Sequence, residues 1–383
     1  LEFTLDEGLA GVVLFLLEWQ VRNPDPIVTT TLRGGLRQLI HLTEATPCRA
    51  GFHAGHAGAA SVLLRAALLL NDHALHTQAL QWLDRLADHD FSGARPDFYA
   101  GTAGTAFVLG RVGGLLGRHR LVRSAEAHAR ALAAMAQRTD DGSCWPLVTG
   151  SPARGGLALG GSGVAFALKT IAEAVGESGW SELVDDALRW ERHLLATDDQ
   201  GTRLLTQKSE VGPSTYTWLR GLAGMAHARL VLSEGCPSHP FLNQECDLAM
   251  QALTRGVRLV GTHFSLADGL SGVGDVLLSA QHMESDATER RAALAWIADY
   301  GHQRHVKGDE LWSCGAPGTG ESPSLMNGIS GIGLFYLRLA DPAKVASPLL
   351  PDLSRLLKPP ARAKTKAASR SKRSAPATAA IVR

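Results

Sequence analysis

The side chains in this 383-residue chain best placed to do chemistry cluster at short glycine turns. His53 and His56 flank Gly55, and Asp97 and Tyr99 precede Gly101. Trp218 and Arg220 precede Gly221, and Asp268 stands directly before Gly269. A histidine with a carboxylate neighbour can move a proton as a general base, and a guanidinium can steady a developing anion. Tyr99 and Trp218 would wall such a site against a substrate. Each residue also has a structural reading. Either histidine can bond the carbonyl of a neighbouring turn. Asp97 and Asp268 can cap the helices that follow them, where free N–H groups meet a carboxylate. Arg220 can pair with Asp268, and Trp218 can be a plain cavity wall. Both readings stand until the turns are placed in space.

These residues are distant in sequence, so they act together only if the turns converge. The turn unit, G-x-x-G followed by an apolar helix, recurs seven times, at Gly8, Gly55, Gly101, Gly160, Gly221, Gly269 and Gly328. Successive steps are 47, 46, 59, 61, 48 and 59 residues. Between the units lie amphipathic segments such as HTQALQWLDRLADH (76–89), SAEAHARALAAMAQR (124–138), SELVDDALRWERHLLA (181–196) and ATERRAALAWIADY (287–300). Their apolar residues recur at three and four, as a one-sided helix requires. The helices after the glycines are apolar nearly all round and rich in alanine, which marks them as buried. Each repeat therefore reads as one inner and one outer helix. Seven pairs predict an all-α fold, an α/α toroid with seven inner helices in a double ring. The open alternative is a solenoid with more polar terminal repeats. In a toroid all the glycine turns would lie at one end, around a central cavity.

The net charge of +1 hides a division. Residues 358–383 hold eight Lys or Arg and no acid, leaving the body 1–357 with a net charge of −7. The tail is too poor in large apolar side chains to offset its ordering entropy and reads as disordered. It either keeps the chain soluble or docks to an acidic partner or nucleic acid. The acidic body argues against a nucleic-acid-binding core. No apolar run approaches the roughly 18–20 residues needed to span a bilayer. The chain begins with Leu1 and shows no secretion signal, which suggests a domain cut from a longer polypeptide. Five scattered cysteines (Cys48, Cys144, Cys236, Cys246, Cys314) without a C-x-x-C pair suit a reduced, cytoplasmic protein.

The repeat pattern over about residues 1–350 resembles the LanC-like family, the lanthionine synthetase C-like cyclases of lanthipeptide biosynthesis. The closing segment PSLMNGISGIGLFYLRLADP (323–342) is most similar to the C-terminal cyclase domain of class II lanthipeptide synthetases. The resemblance implies an α/α toroid and the addition of a cysteine thiol to a dehydrated Ser or Thr of a precursor peptide. It also implies dehydratase or kinase partners from the same pathway. It further implies a zinc ion, held by Cys in W-C-x-G of the fifth repeat and by Cys-His in C-H-G of the sixth. This sequence reads Trp218-Leu219-Arg220-Gly221 and Ala267-Asp268-Gly269 at those places, so Leu219, Ala267 and Asp268 replace the ligands. A family histidine before the fourth glycine is replaced by Leu159. Asp97 matches an aspartate that the family carries before the third turn. No zinc or other cofactor is expected at the family position.

Two functions follow. One is a zinc-independent cyclase using His53, His56, Asp97, Arg220 and Asp268, with Tyr99 and Trp218 against the substrate. Class III relatives that also lack the ligands are associated with cyclisation. The other is a pseudoenzyme that keeps the peptide-binding cavity and serves as a scaffold for partner enzymes. A toroid enzyme acting on sugars or isoprenoids would need paired carboxylates or Asp-rich motifs, and the sequence has neither.

Overall fold

The computed structural model describes residues 1–176, 179–198, 201–204, 213–234, 241–308, 310–314, 320–350 and 353–354. Cys236 and the basic tail 358–383 lie outside the described residues. Seven helices follow the seven glycine turns: α1 (Leu9–Arg22), α3 (His56–Leu70), α5 (Thr102–Leu116), α7 (Gly161–Val175), α9 (Leu222–Glu234), α11 (Leu270–Ser279) and α13 (Ile329–Ala340). Between them run α2 (Pro26–Ala45), α4 (His73–Asp88), α6 (His119–Met135), α8 (Ser181–Arg192), α10 (Leu242–Gly256) and α12 (Ala287–Gly301). Two short hairpins interrupt the helices, β1 (Gln137–Thr139) with β2 (Gly142–Cys144) and β3 (Leu195–Asp198) with β4 (Gly201–Leu204).

Burial divides the helices as their sequences do. Helix α3 is buried continuously from His56 to Ala67, whereas α4 buries only Ala79, Trp82, Leu83 and Leu86, one stripe at helical spacing. The first set is the inner ring and the second the outer ring.

Backbone hydrogen bonds link the glycine turns from the first to the fourth and from the fifth through the seventh back to the first. The fourth and fifth pack directly, a Cβ on Gly224 lying 3.3 Å from the Leu157 nitrogen. Leu5 and Asp6 N–H donate to the His53 carbonyl (3.0 and 3.1 Å), and His53 N–H donates to Tyr99 (2.9 Å). Tyr99 N–H donates to Ala158 (3.0 Å). Further round, Leu219 N–H donates to Ala267 (2.9 Å) and Ala267 N–H to Met326 (3.0 Å). Leu325 and Met326 N–H return to the Asp6 carbonyl at 3.0 Å. The seventh turn thus joins the first, so the chain is a ring and not an open solenoid.

The second glycine of each turn explains the motif. A Cβ on Gly104 would lie 2.0 Å from the Phe98 carbonyl oxygen and 2.4 Å from the Phe52 nitrogen. One on Gly11 would lie 2.5 Å from the Cβ of Leu325, at the joint where the ring closes. Only glycine lets a neighbouring turn approach this near. The inner helices take no side-chain cap. Their first N–H bonds a carbonyl seven residues upstream: Leu9 to Glu2, His56 to Arg49, Thr102 to Arg95, Leu270 to His263 and Ile329 to Ser322. Five of the seven turns share that loop bond.

One expectation needs correcting. The seventh inner helix has no outer partner among the described residues. After Ala340 the chain is broken by Pro342 and Pro348 and turns back between α1, α3, α11 and α13. Arg22 Nη2 donates to the Lys344 carbonyl (2.9 Å), and the Ser347 hydroxyl donates to the buried Asp275 carboxylate, which also pairs with Arg338 at 2.6 Å. Proline cannot supply the N–H groups that an outer helix would require there.

Candidate functional site

The turns repeat two residue positions ahead of each first glycine. The residues three before it, Leu5, Phe52, Phe98, Leu157, Trp218, Leu266 and Leu325, are all buried in the core. The residues two before it are Asp6, His53, Tyr99, Ala158, Leu219, Ala267 and Met326, and they face the middle of the ring. His53 of the second repeat meets Trp218 of the fifth with ring centroids 5.2 Å apart, a contact possible only across the ring.

His53 is fully buried and stacked on Tyr99 at 4.9 Å and 15°. Neither ring nitrogen makes a hydrogen bond to the described residues. Burial lowers its pKa to about 3, with the Pro348 carbonyl pulling the other way. It is a neutral imidazole under the aromatic floor and not a base open to substrate. The Tyr99 hydroxyl is held by the Asp6 carboxylate, and burial with that negative neighbour pushes its pKa far up. Burial also raises the Asp6 carboxyl, against hydrogen bonds from Thr4 and Glu7.

The other predicted residues separate. His56 begins α3 with its Nδ1 accepting from the Arg49 N–H (3.0 Å) and its ring 4.3 Å from Phe3. It ties the α2–α3 connection and does not join the central group. Asp97 accepts from Ala100 N–H (2.8 Å) and from Arg95 Nε (2.8 Å), so it fixes its own turn instead of capping the helix. Burial raises its pKa, partly offset by those two bonds. Asp268 accepts from the Thr217 hydroxyl at 3.0 Å and lies 4.0 Å from Arg220 Nε, joining the fifth and sixth repeats. Trp218 is fully buried with its indole N–H unpaired.

Beside this floor opens a cavity of about 540 Å³ between the second and fifth repeats. Its wall includes Arg95, Tyr99, Arg154, Leu159, Leu219 and Arg220, and no carboxylate among the described residues. Arg154 makes no hydrogen bond or ion pair with the described residues. Leu219 and Leu159 occupy the wall at two of the altered family positions, and Ala267 is fully buried. Two hydrocarbon side chains and one engaged carboxylate do not fit a tetrahedral zinc at that place. Among the described residues no group of three His, Cys, Asp or Glu is arranged to hold a metal elsewhere.

The residues overlooked in the sequence are Asp6, Arg95 and Arg154. Asp6 carries a readable signal, since it stands two before Gly8 as His53 does before Gly55. Arg95 and Arg154 also carry one, since each stands six before its first glycine, where Arg49 stands before Gly55.

The chain is similar in fold to nisin cyclase, with a TM-score of 0.68 at 14% identity over 93% of this chain and 92% of that one. It is also similar to the GH76A alpha-1,6-mannanase from Salegentibacter sp. HEL1_6, with a TM-score of 0.51 at 10% identity over 74% of this chain and 88% of the other. No curated protein sequence matches it. No described helix is long and apolar enough to cross a membrane. The family profile of the lanthionine synthetase C-like proteins spans residues 1–351, as the closed circle of glycine turns leads one to expect, and the chain belongs to that family.

Proposed function

We propose that the chain matures a precursor peptide by promoting thioether formation without zinc, in the arginine-walled cavity at the turn face. One observation carries this reading. Three guanidiniums, from Arg95, Arg154 and Arg220, line the same cavity as Leu219, where relatives with the full motif carry a metal ligand. A free thiol has a pKa of about 8.5, and neighbouring cations lower it. The thiolate sulfur of a peptide cysteine then attacks the β-carbon of a dehydrated residue, and the C=C electron pair moves onto the adjacent carbonyl. Guanidinium N–H groups stabilise that enolate oxygen. The α-carbon takes a proton from water in the open cavity, replacing the one the thiol released, so the addition balances. Tyr99 and the leucines hold the peptide chain. His53 and Asp97 support the floor and exchange no proton with substrate.

A second reading, a peptide-holding pseudoenzyme, is favoured by one specific feature. Among the described residues no carboxylate or histidine lines the cavity to accept the thiol proton. One assay separates the two. The protein is incubated with a dehydrated, cysteine-bearing peptide, with and without a chelator, and the remaining alkylatable thiol is followed. Thiol loss faster than the spontaneous reaction and indifferent to chelator supports the cyclase. A rate equal to the spontaneous one leaves only the holding role.

A further inference from the structure

The cavity wall is electrically unbalanced in a way that thiol addition does not require. The body of the chain has a net charge of −7, yet this wall gathers three arginines and, among the described residues, no acid. Their donors are open. Arg95 spends Nε on Asp97, which leaves both terminal nitrogens unengaged by the described residues. Arg220 reaches Asp268 only at 4.0 Å, and Arg154 has no partner among the described residues. Many guanidiniums elsewhere are matched, as Arg118 is by Asp84 at 2.9 Å and Arg65 by Glu18 at 3.2 Å, and the three here share one cavity.

Planar guanidinium forks recognise oxyanions through paired N–H donors. Three of them around one cavity match a dianion better than a single carboxylate, and a phosphate monoester carries about −1.5 to −2 charges at neutral pH. We infer that Arg95, Arg154 and Arg220 form a subsite for a phosphorylated Ser or Thr side chain of the peptide. This rests on the reading of the cavity as a peptide site but not on its catalysing cyclisation. The subsite admits a peptide that still carries its phosphate. It therefore places the protein beside reactions that install a phosphate on serine or threonine and then eliminate it.

The test uses short fluorescein-labelled peptides that contain neither cysteine nor dehydrated residues, so cyclisation plays no part. They differ at one central position, which is phosphoserine, glutamate or serine. Anisotropy titration of the full chain should show the phosphoserine peptide binding at least about tenfold tighter than the serine one. In an Arg154→Ala, Arg220→Ala double variant that preference should fall below about threefold. The control Arg118→Ala, at the far end of α5, should keep it. Both double-variant positions are exposed, and far-UV circular dichroism checks that the variant is folded.

Equal affinity for serine and phosphoserine overturns the proposal, as does a preference that survives the double variant. Glutamate binding as tightly as phosphoserine reassigns the subsite to carboxylates and overturns the phosphate claim. Competition by inorganic phosphate at the phosphopeptide's own affinity would show a free-anion site and overturn the peptide claim. Failure of the thiol assay with success here would remove the cyclase and leave this subsite standing.

Discussion

Two arginine clusters lie on neighbouring repeats, and they differ in every respect except residue type. Between α7, α8, α9 and α10, Arg229 is wholly buried and donates to Glu191 (3.0 Å), to Glu245 (2.7 Å) and to the Ser162 hydroxyl (2.8 Å). Arg192 completes the charge balance on Glu245, and Glu191 also accepts from the Gly156 and Ser162 N–H groups, which fixes the fourth turn. A few residues away, Arg154 and Arg220 stand exposed at the mouth, and no acid among the described residues lines the cavity they share. The first cluster satisfies its charges internally and so determines shape. The second leaves its charges for something that arrives from outside. Partnering, more than residue identity or repeat position, separates the scaffold from the site.

Removing Arg229 should have the largest effect. Arg229→Met leaves the Glu191 carboxylate buried with its countercharge gone, and breaking such a pair costs about 3–5 kcal/mol. Urea unfolding followed by circular dichroism measures this. Adding Glu191→Gln removes the orphaned charge and should recover part of the loss. A single-variant cost below about 1 kcal/mol would mean that the cluster does not hold the fourth turn, and the contrast with the mouth would collapse.

The reverse behaviour is expected at the mouth. Arg220→Ala should slow thiol consumption by about 10²-fold, the scale of losing one donor to a developing oxyanion. Its unfolding midpoint should stay within about 0.5 kcal/mol of the parent, because the side chain is exposed and its one ion pair is long. If stability and rate fall together, Arg220 is structural.

A third kind of buried polar group sharpens the contrast. His53 and His227 have no countercharge in hydrogen-bonding contact, and burial lowers their pKa values to about 3 and about 4. In the unfolded chain both take up a proton near pH 6.5, so below that pH the unfolded state binds more protons and folding weakens. Each group costs about 1.4 kcal/mol per pH unit until its folded pKa is reached. Stability should therefore fall from pH 7 to pH 5, and His53→Phe should make that fall shallower by roughly one group's share. A slope unchanged by the substitution would place His53 in contact with water.

Much of this was legible in the sequence because the constraint is periodic. A turn that needs glycine twice, followed by a helix buried all round, leaves the same trace seven times, and ring closure follows from repeat number. The replaced ligands at Leu219, Ala267 and Asp268 were readable for the same reason, since register names their positions. Which polar residues face the cavity was not readable. His53 and His56 are three residues apart, yet one enters the helix and ties a loop while the other points under Tyr99. Asp97 carried the family register and proved to be spent on Arg95 and Ala100. Arg95 and Arg154 hold one register position, six before a first glycine, but so does Arg49, which pairs with Glu2, and only three-dimensional placement separates them.

The smallest effect tests the idea of unmatched charge most directly. Three guanidiniums around one cavity repel each other, and solvent screens but does not cancel that repulsion. Arg154→Ala removes one of them and breaks no hydrogen bond or ion pair among the described residues. The variant should be more stable than the parent by a few tenths of a kcal/mol at low ionic strength. The gain should vanish near 1 M salt, where the Debye length shrinks to about 3 Å. Thermal unfolding of both proteins at the two salt concentrations reads the difference directly. A variant destabilised by more than about 1 kcal/mol would show that Arg154 is matched after all. It would then belong with Arg229 in the scaffold, and the mouth would lose the charge surplus that marks it as a site.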